Sequence, residues 1–329
     1  MHFGDRNAGI KWLTFLGASV LLGLAMIPLW QRLAMGISEI VIGKQTNGLL
    51  LGLARSWEGC ELVDFGRFSI LIAALLLLPV FWSRLTSGAS MMKMQDRPWR
   101  LLVPGYEASS TRSIRLRQNP TATRDFCWGL MIPLLLIGLA CGYARWHGWA
   151  EPRNRVILFS IDSGMSLLRW WAFAIVIEIF LRGITMGLFL RSFGPITAIG
   201  LSACIGFIGS SWQVPVGWTS AEIVSYTDLV SVVKAMAQTA IEPLHVLMWG
   251  LPTLLGGLVL GMARYRSASL WLPIGLHMGF IAGIFVATKC FTWEKLGHHQ
   301  GWMALVLAWI IGLWVWQFTA HSPQRSHPT

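Results

Sequence analysis

Two ionisable residues stand where apolar residues are the rule. The stretch 170–191, WWAFAIVIEIFLRGITMGLFLR, carries Glu178 and Arg182 near its middle. About 20 apolar residues suffice to cross a bilayer, and a charge at mid-membrane costs about 2.5–3.5 kcal/mol on insertion scales, so such residues mark functional sites by default. The i,i+4 spacing with the glutamate first is the better orientation for an intrahelical ion pair. The pair therefore either serves chemistry inside the membrane or neutralises itself so that the helix can insert. His277 lies in a second apolar run between Gly275 and Gly279. It is either a catalytic group or a hydrogen-bonding group at a close helix contact. Glu242-Pro-Leu-His245 has the Glu-x-x-His spacing of di-iron bundles, in one copy only; a carboxylate favouring a helix N-terminus also accounts for Glu242. His298 and His299 fall in a connection, as solvated residues. Cys127, Cys141 and Cys204 lie in apolar runs and read as inert core thiols. Cys60 and Cys290 fall in connections on one side, which leaves a disulfide open, and no CxxC or zinc spacing occurs.

The elements that must position these residues are membrane helices. The chain of 329 residues is 54% hydrophobic and 12% charged, against about 25% charged in soluble domains. Apolar runs at 12–30, 68–82, 126–143, 166–190, 196–216, 243–263, 270–288 and 302–319 predict an all-α, polytopic bundle of about eight transmembrane helices. Leu33, Ile37 and Ile40 share a face and suggest a separate interfacial helix after the first run. The polar stretch 219–242 suggests a surface helix. Many of the 19 tryptophans sit at run ends, as an interfacial belt. Gly-x-x-x-Gly at Gly183/Gly187, Gly257/Gly261, Gly275/Gly279 and Gly279/Gly283 predicts close helix approaches within one compact bundle. Three regions follow: 1–165 with three spans, a core bundle at 166–290, and a last span and tail at 291–329.

The net charge of +11 comes from connections, above all the loop 83–125. That is the pattern of topology determinants and of contacts with anionic lipid, not of nucleic-acid binding. With this loop cytoplasmic, eight spans place both termini inside, together with Arg191, Arg264 and Arg266, which did not enter the assignment. An integral membrane location, in a bacterial cytoplasmic membrane, is the expectation.

Three segments in this order resemble the CPBP family, the CAAX protease and bacteriocin-processing intramembrane peptidases. The family's E-E-x-x-x-R motif reads here Ile177-Glu178-Ile179-Phe180-Leu181-Arg182, followed by Gly183. Its F-x-x-x-H motif, after a Gly-Pro turn, reads Phe207-Ile-Gly-Ser-Ser211. Its H-x-x-x-N motif, after a glycine-rich helix, a basic turn and Ser-Leu-Trp-Leu-Pro273, reads His277-Met-Gly-Phe-Ile281. The resemblance spans roughly 170–283 and implies a helical membrane fold that cleaves membrane-anchored peptides.

Carried over position by position, the resemblance places Glu178, Arg182 and His277 at the site. It puts Ile177 at the family's water-activating glutamate, Ser211 at the second-motif histidine and Ile281 at the asparagine. Hydrolysis needs a base and oxyanion donors; isoleucine is neither, and a serine hydroxyl is no base near neutral pH. One histidine is not a metal site, so no cofactor is expected. Cleavage of membrane-anchored peptides by an impaired or inactive catalytic set is the leading expectation. A non-catalytic scaffold that binds such a peptide or another membrane subunit is the alternative. A transporter is a distant third, since no inverted repeat is visible.

Overall fold

The computed structural model describes residues 7–44, 48, 51, 54, 62–86, 122–153, 161–210, 225–242, 246, 250–267, 269–292 and 299–319. Ser211, His245, Cys60, His298 and the basic loop over 87–121 lie outside the described residues. In chain order the elements are α1 (Ala8–Gly43), α2 (Leu62–Thr86), α3 (Ala122–Trp146), β1 (Glu151–Pro152) and α4 (Ile161–Glu178). A π-helical segment (Ile179–Thr185) leads from α4 into α5 (Met186–Ser192). Then come α6 (Pro195–Ser210), α7 (Tyr226–Ile241), α8 (Leu251–Ser267), α9 (Trp271–Cys290), β2 (Phe291–Thr292) and α10 (His299–Thr319).

Helix is the expected answer for such sequences, because hydrocarbon offers no partner to a backbone N–H or C=O and each segment must satisfy its own. Four stretches are long and apolar enough to cross a membrane: Ala8–Gly43, Ala122–Trp146, Ser163–Leu190 and Trp271–Cys290. Phe65–Phe81, Pro195–Gly209 and Val306–Gln317 are shorter apolar helices. The chain is an all-α membrane helical bundle.

The described helices fall into two compact units, Met1–Ser90 with Ser210–Val246, and Met91–Gly209 with Leu247–Thr329. In the first, α1 and α2 form a hairpin. Trp12, Phe15 and Phe81 make an aromatic cluster with centroids 4.6 to 5.3 Å apart, and Gly23 lets the α2 backbone at Ile70 approach its Cα. The separate interfacial helix expected after residue 30 is instead a continuation of α1, which runs 36 residues. The reason is the buried stripe: after Ser19, Gly23 and Ile27 it goes on through Gln31, Ala34 and Ser38. Ser38 also donates its hydroxyl to the Ala54 carbonyl at 3.0 Å. Leu33, Ile37 and Ile40 form the exposed face of that same helix. At 1.5 Å per residue it is about 54 Å long, well beyond the roughly 30 Å hydrocarbon core.

A surface helix does occupy part of 219–242, as α7, and its start is fixed by a reciprocal cap. The Ser225 backbone N–H and hydroxyl both donate to Asp228 Oδ2, at 3.0 and 2.5 Å, while the Asp228 N–H donates to Ser225 Oγ at 3.2 Å. Two backbone donors that helical bonding leaves orphaned are thereby satisfied. These hydrogen bonds, chiefly the hydroxyl of Ser225, hold the Asp228 carboxyl below its ordinary pKa.

In the second unit the helix that carries His277, α9, packs along α3. A Cβ on Gly275 would meet the Phe126 carbonyl, one on Gly279 the Leu130 carbonyl, and one on Gly283 the Ile137 side chain. From the other side, a Cβ on Gly129 would lie 2.7 Å from the Leu272 carbonyl. Residue numbers rise together along both helices, so the two run parallel. The Gly-x-x-x-Gly series of this span thus closes on a helix outside the stretch that carries the motifs. The glycines of α8 close on α6 instead, Gly257 against Ala203 and Gly261 against Ile199. Beyond α3, Gly148 at φ 69° reverses the chain. The short β1 then pairs antiparallel with β2, Glu151 opposite Thr292.

Cys127, Cys141, Cys204 and Cys290 are free thiols. Cys141 is buried as expected, but Cys127 and Cys204 are exposed rather than core. An apolar run in a membrane helix does not imply burial in protein, because lipid tails are as apolar as leucine.

Candidate active site

The last residue of α4 is Glu178, and the chain then widens into the π-helical segment that holds Arg182. The Met186 N–H reaches back five residues to the Leu181 carbonyl. That carbonyl also accepts the Ser202 hydroxyl of α6 at 3.0 Å. Such π segments are frequent at functional sites. Here the segment follows Glu178 directly and contains Arg182.

Glu178 is wholly buried, and its Oε1 lies 2.8 Å from His277 Nδ1 on α9. The same oxygen is 3.5 Å from Arg182 Nη1. The shorter distance is an ordinary strong hydrogen bond; the longer one lies past the usual 2.7–3.2 Å and is an ion pair first. Arg182 spends its better hydrogen bond elsewhere, donating Nη2 to the Gly257 carbonyl of α8 at 3.0 Å. Gly257 has to be small for this: a Cβ there would sit 3.1 Å from Ala203 Cβ and 3.4 Å from Arg182 Nη2. Four elements, α4, the π segment, α8 and α9, therefore meet at one buried cluster.

Further atoms complete the picture. Glu178 Oε2 and Arg182 Nε are buried with no hydrogen-bond partner among the described residues. His277 is the accessible member, with 26% of its side chain exposed. Against an ionised carboxylate, which only accepts, His277 donates through Nδ1.

The sequence expectations can now be placed. Glu178, Arg182 and His277 converge, although 99 positions separate the first from the last. Ser211 lies outside the described residues. Ile177 is half-buried, and Ile281 packs on the cluster of Ala174, Leu270, Ile274 and Met278; neither side chain can donate or accept. Glu242 follows α7, is exposed, and its backbone carbonyl accepts the Val246 N–H at 2.9 Å. Sequence reasoning missed Ser202 and the Gly257 carbonyl. The Gly257/Gly261 spacing signalled a close approach there, but no side-chain pattern can announce a backbone acceptor. Among the described residues no group of three or more His, Cys, Asp and Glu could hold a metal. Glu178 and His277 supply two donors, and the neighbouring group is the cation Arg182.

No curated protein and no solved structure matches the chain. A family model does, that of the type II CAAX prenyl endopeptidase Rce1-like proteins, over residues 160–283. The matched stretch holds all of Glu178, Arg182, Gly257 and His277, and the match supports the CPBP, or CAAX-protease, family for this part of the chain.

Proposed function

We propose that this membrane protein captures membrane-anchored peptides of the kind CAAX-type endopeptidases cut, and that its own hydrolytic step is impaired. One observation carries the reading. The carboxylate nearest the family's base position, Glu178, is enclosed and shared between His277 and Arg182, while positions 177 and 281 are aliphatic. A general base is worth about 10²–10⁴ in rate, so loss of the usual one slows cleavage without removing the scaffold that holds the peptide. The buried tie from Arg182 to Gly257 favours the second reading as well, a non-catalytic subunit on the same fold. The proposed setting is a bacterial cytoplasmic membrane, with the loop 83–125 against anionic lipid.

The test is cleavage of a prenylated CAAX peptide in proteoliposomes by the wild type and by a variant carrying Ile177→Glu, Ser211→His and Ile281→Asn. The variant is expected to cut about 100-fold faster or more. A wild type as fast as the variant overturns the impairment.

A further inference from the structure

The seam between α3 and α9 runs on past His277, and its far end carries two thiols. The register that sets Gly275 on Phe126 and Gly279 on Leu130, continued along both helices, sets Cys290 on Cys141, since the two numbers of each pair differ equally. Packing agrees. Cys141 is buried in a cluster with Ile137 and Ala287, against which Phe291 packs. Its thiol is close enough to that of Cys290 to interact electrostatically. One turn before Cys141, a Cβ on Gly283 would lie 3.2 Å from Ile137 Cβ, no farther than the roughly 3.5–4.5 Å between the Cβ atoms of a disulfide. The end of α9 is also held in place. The Arg153 N–H donates to the Cys290 carbonyl at 2.9 Å, and β2, which follows directly, pairs with β1. The approach of the two thiols is thus set by the helices and the strand pair.

We propose that Cys141 and Cys290 are a redox pair that closes into a disulfide and staples the end of α9 to α3. The two sit at the end of α3 opposite the basic loop that precedes it. In the orientation expected from the sequence that end faces the outer side of the membrane, where disulfides form and persist. Cys290 is part-buried and Cys141 buried, so Cys290 is the thiol that an oxidant meets. Its sulfur, deprotonated, attacks one sulfur of an oxidant disulfide and expels the other as a thiolate. The Cys141 sulfur, deprotonated in turn, attacks Cys290 Sγ, forms the Cys141–Cys290 bond and expels the oxidant's remaining sulfur. The two protons given up by the cysteines pass to the two oxidant sulfurs. Two thiols are oxidised to one disulfide, and one disulfide is reduced to two thiols. Cys60, which the sequence leaves open as a partner of Cys290, has no part in the bond. The staple acts on the helix that carries His277, and it replaces contact by a covalent tie where the glycine seam ends.

The experiment uses the full chain in proteoliposomes. The wild type is treated with oxidised glutathione, denatured, alkylated at its remaining thiols and digested without reduction for mass spectrometry. A peptide containing Cys141 joined to one containing Cys290 is expected from most of the protein, and dithiothreitol should abolish the link. This reading needs no variant to fold. Cys60→Ser should keep the link and Cys290→Ser should lose it. The oxidised wild type should melt several degrees above the reduced wild type, because the bridge closes a long loop of the unfolded chain. In Cys141→Ser the two conditions should give the same Tm. A wild type in which Cys290 is left alkylated, held on glutathione or joined to Cys60 overturns the pair. A link that forms and leaves Tm unmoved overturns the staple.

Discussion

Glu178 Oε1 and His277 Nδ1 lie 2.8 Å apart, joining the end of one membrane helix to the middle of another that enters the chain 99 positions later. The bond makes partners of a wholly buried carboxylate and a part-buried imidazole. It engages Nδ1 of the imidazole and one of the two carboxylate oxygens. Arg182 completes the cluster by facing the same oxygen at 3.5 Å.

Removing the carboxylate should be expensive. In Glu178→Ala, Arg182 remains 3% exposed with no carboxylate opposite it, and breaking a buried pair in this way costs about 3–5 kcal/mol. Thermal unfolding in detergent should show a clear fall in Tm, smaller for Glu178→Gln, which keeps an acceptor for His277. An unchanged Tm in Glu178→Ala would show that the Gly257 carbonyl alone holds the guanidinium.

The seam between α3 and α9 is built from backbone. A Cβ on Gly275 would lie 2.5 Å from the Phe126 carbonyl, and neither helix can yield without moving as a whole. Gly275→Ala should therefore cost about 1–3 kcal/mol, the usual range for overpacking, while Gly138→Ala, with open space around it, should be neutral. Denaturation of the two variants side by side checks the contrast.

The cap of α7 is sensitive to acid. Asp228 has a depressed pKa in the folded protein because Ser225 hydrogen-bonds its carboxylate. Its contribution is therefore complete above the unfolded carboxyl value of 3.8 and is lost as pH falls through the lower folded value. Amide exchange at the start of α7 should accelerate across that window in the wild type. In Asp228→Asn the same amides should exchange with no such acid step.

Orientation gives a fourth test. The expected eight spans with the basic loop inside would put both termini in the cytoplasm; four described helical stretches are long and apolar enough to span, and the parallel course of α3 and α9 is compatible with that count. A reporter fused after Thr329 should be active only as a cytoplasmic marker. Activity on the outer side would remove one span from the count.

Much of this was legible in the sequence. The apolar runs marked the helices, and the Glu178–Arg182 spacing together with the motif order pointed to three residues that lie together in the fold. What stayed hidden is physical in kind. Hydropathy near Trp30 marks where a bilayer would end, not where a helix ends, and the stripe through Gln31, Ala34 and Ser38 carries α1 onward. The i,i+4 spacing of Glu178 and Arg182 assumes an α-helical turn, yet the intervening backbone is π-helical, and the arginine finds its nearer partner in the Gly257 carbonyl. The cap of α7 was readable as Ser-x-x-Asp, but a polar stretch without apolar periodicity hides its own boundary.

The seam of glycines also says what can be inherited alone. His277 rides on α9, and α9 leans on a helix that ends at Trp146, ahead of the matched stretch 160–283. The motif-bearing stretch is thus not a portable cassette. Excised, it would turn three bare glycines and the backbone between them toward lipid.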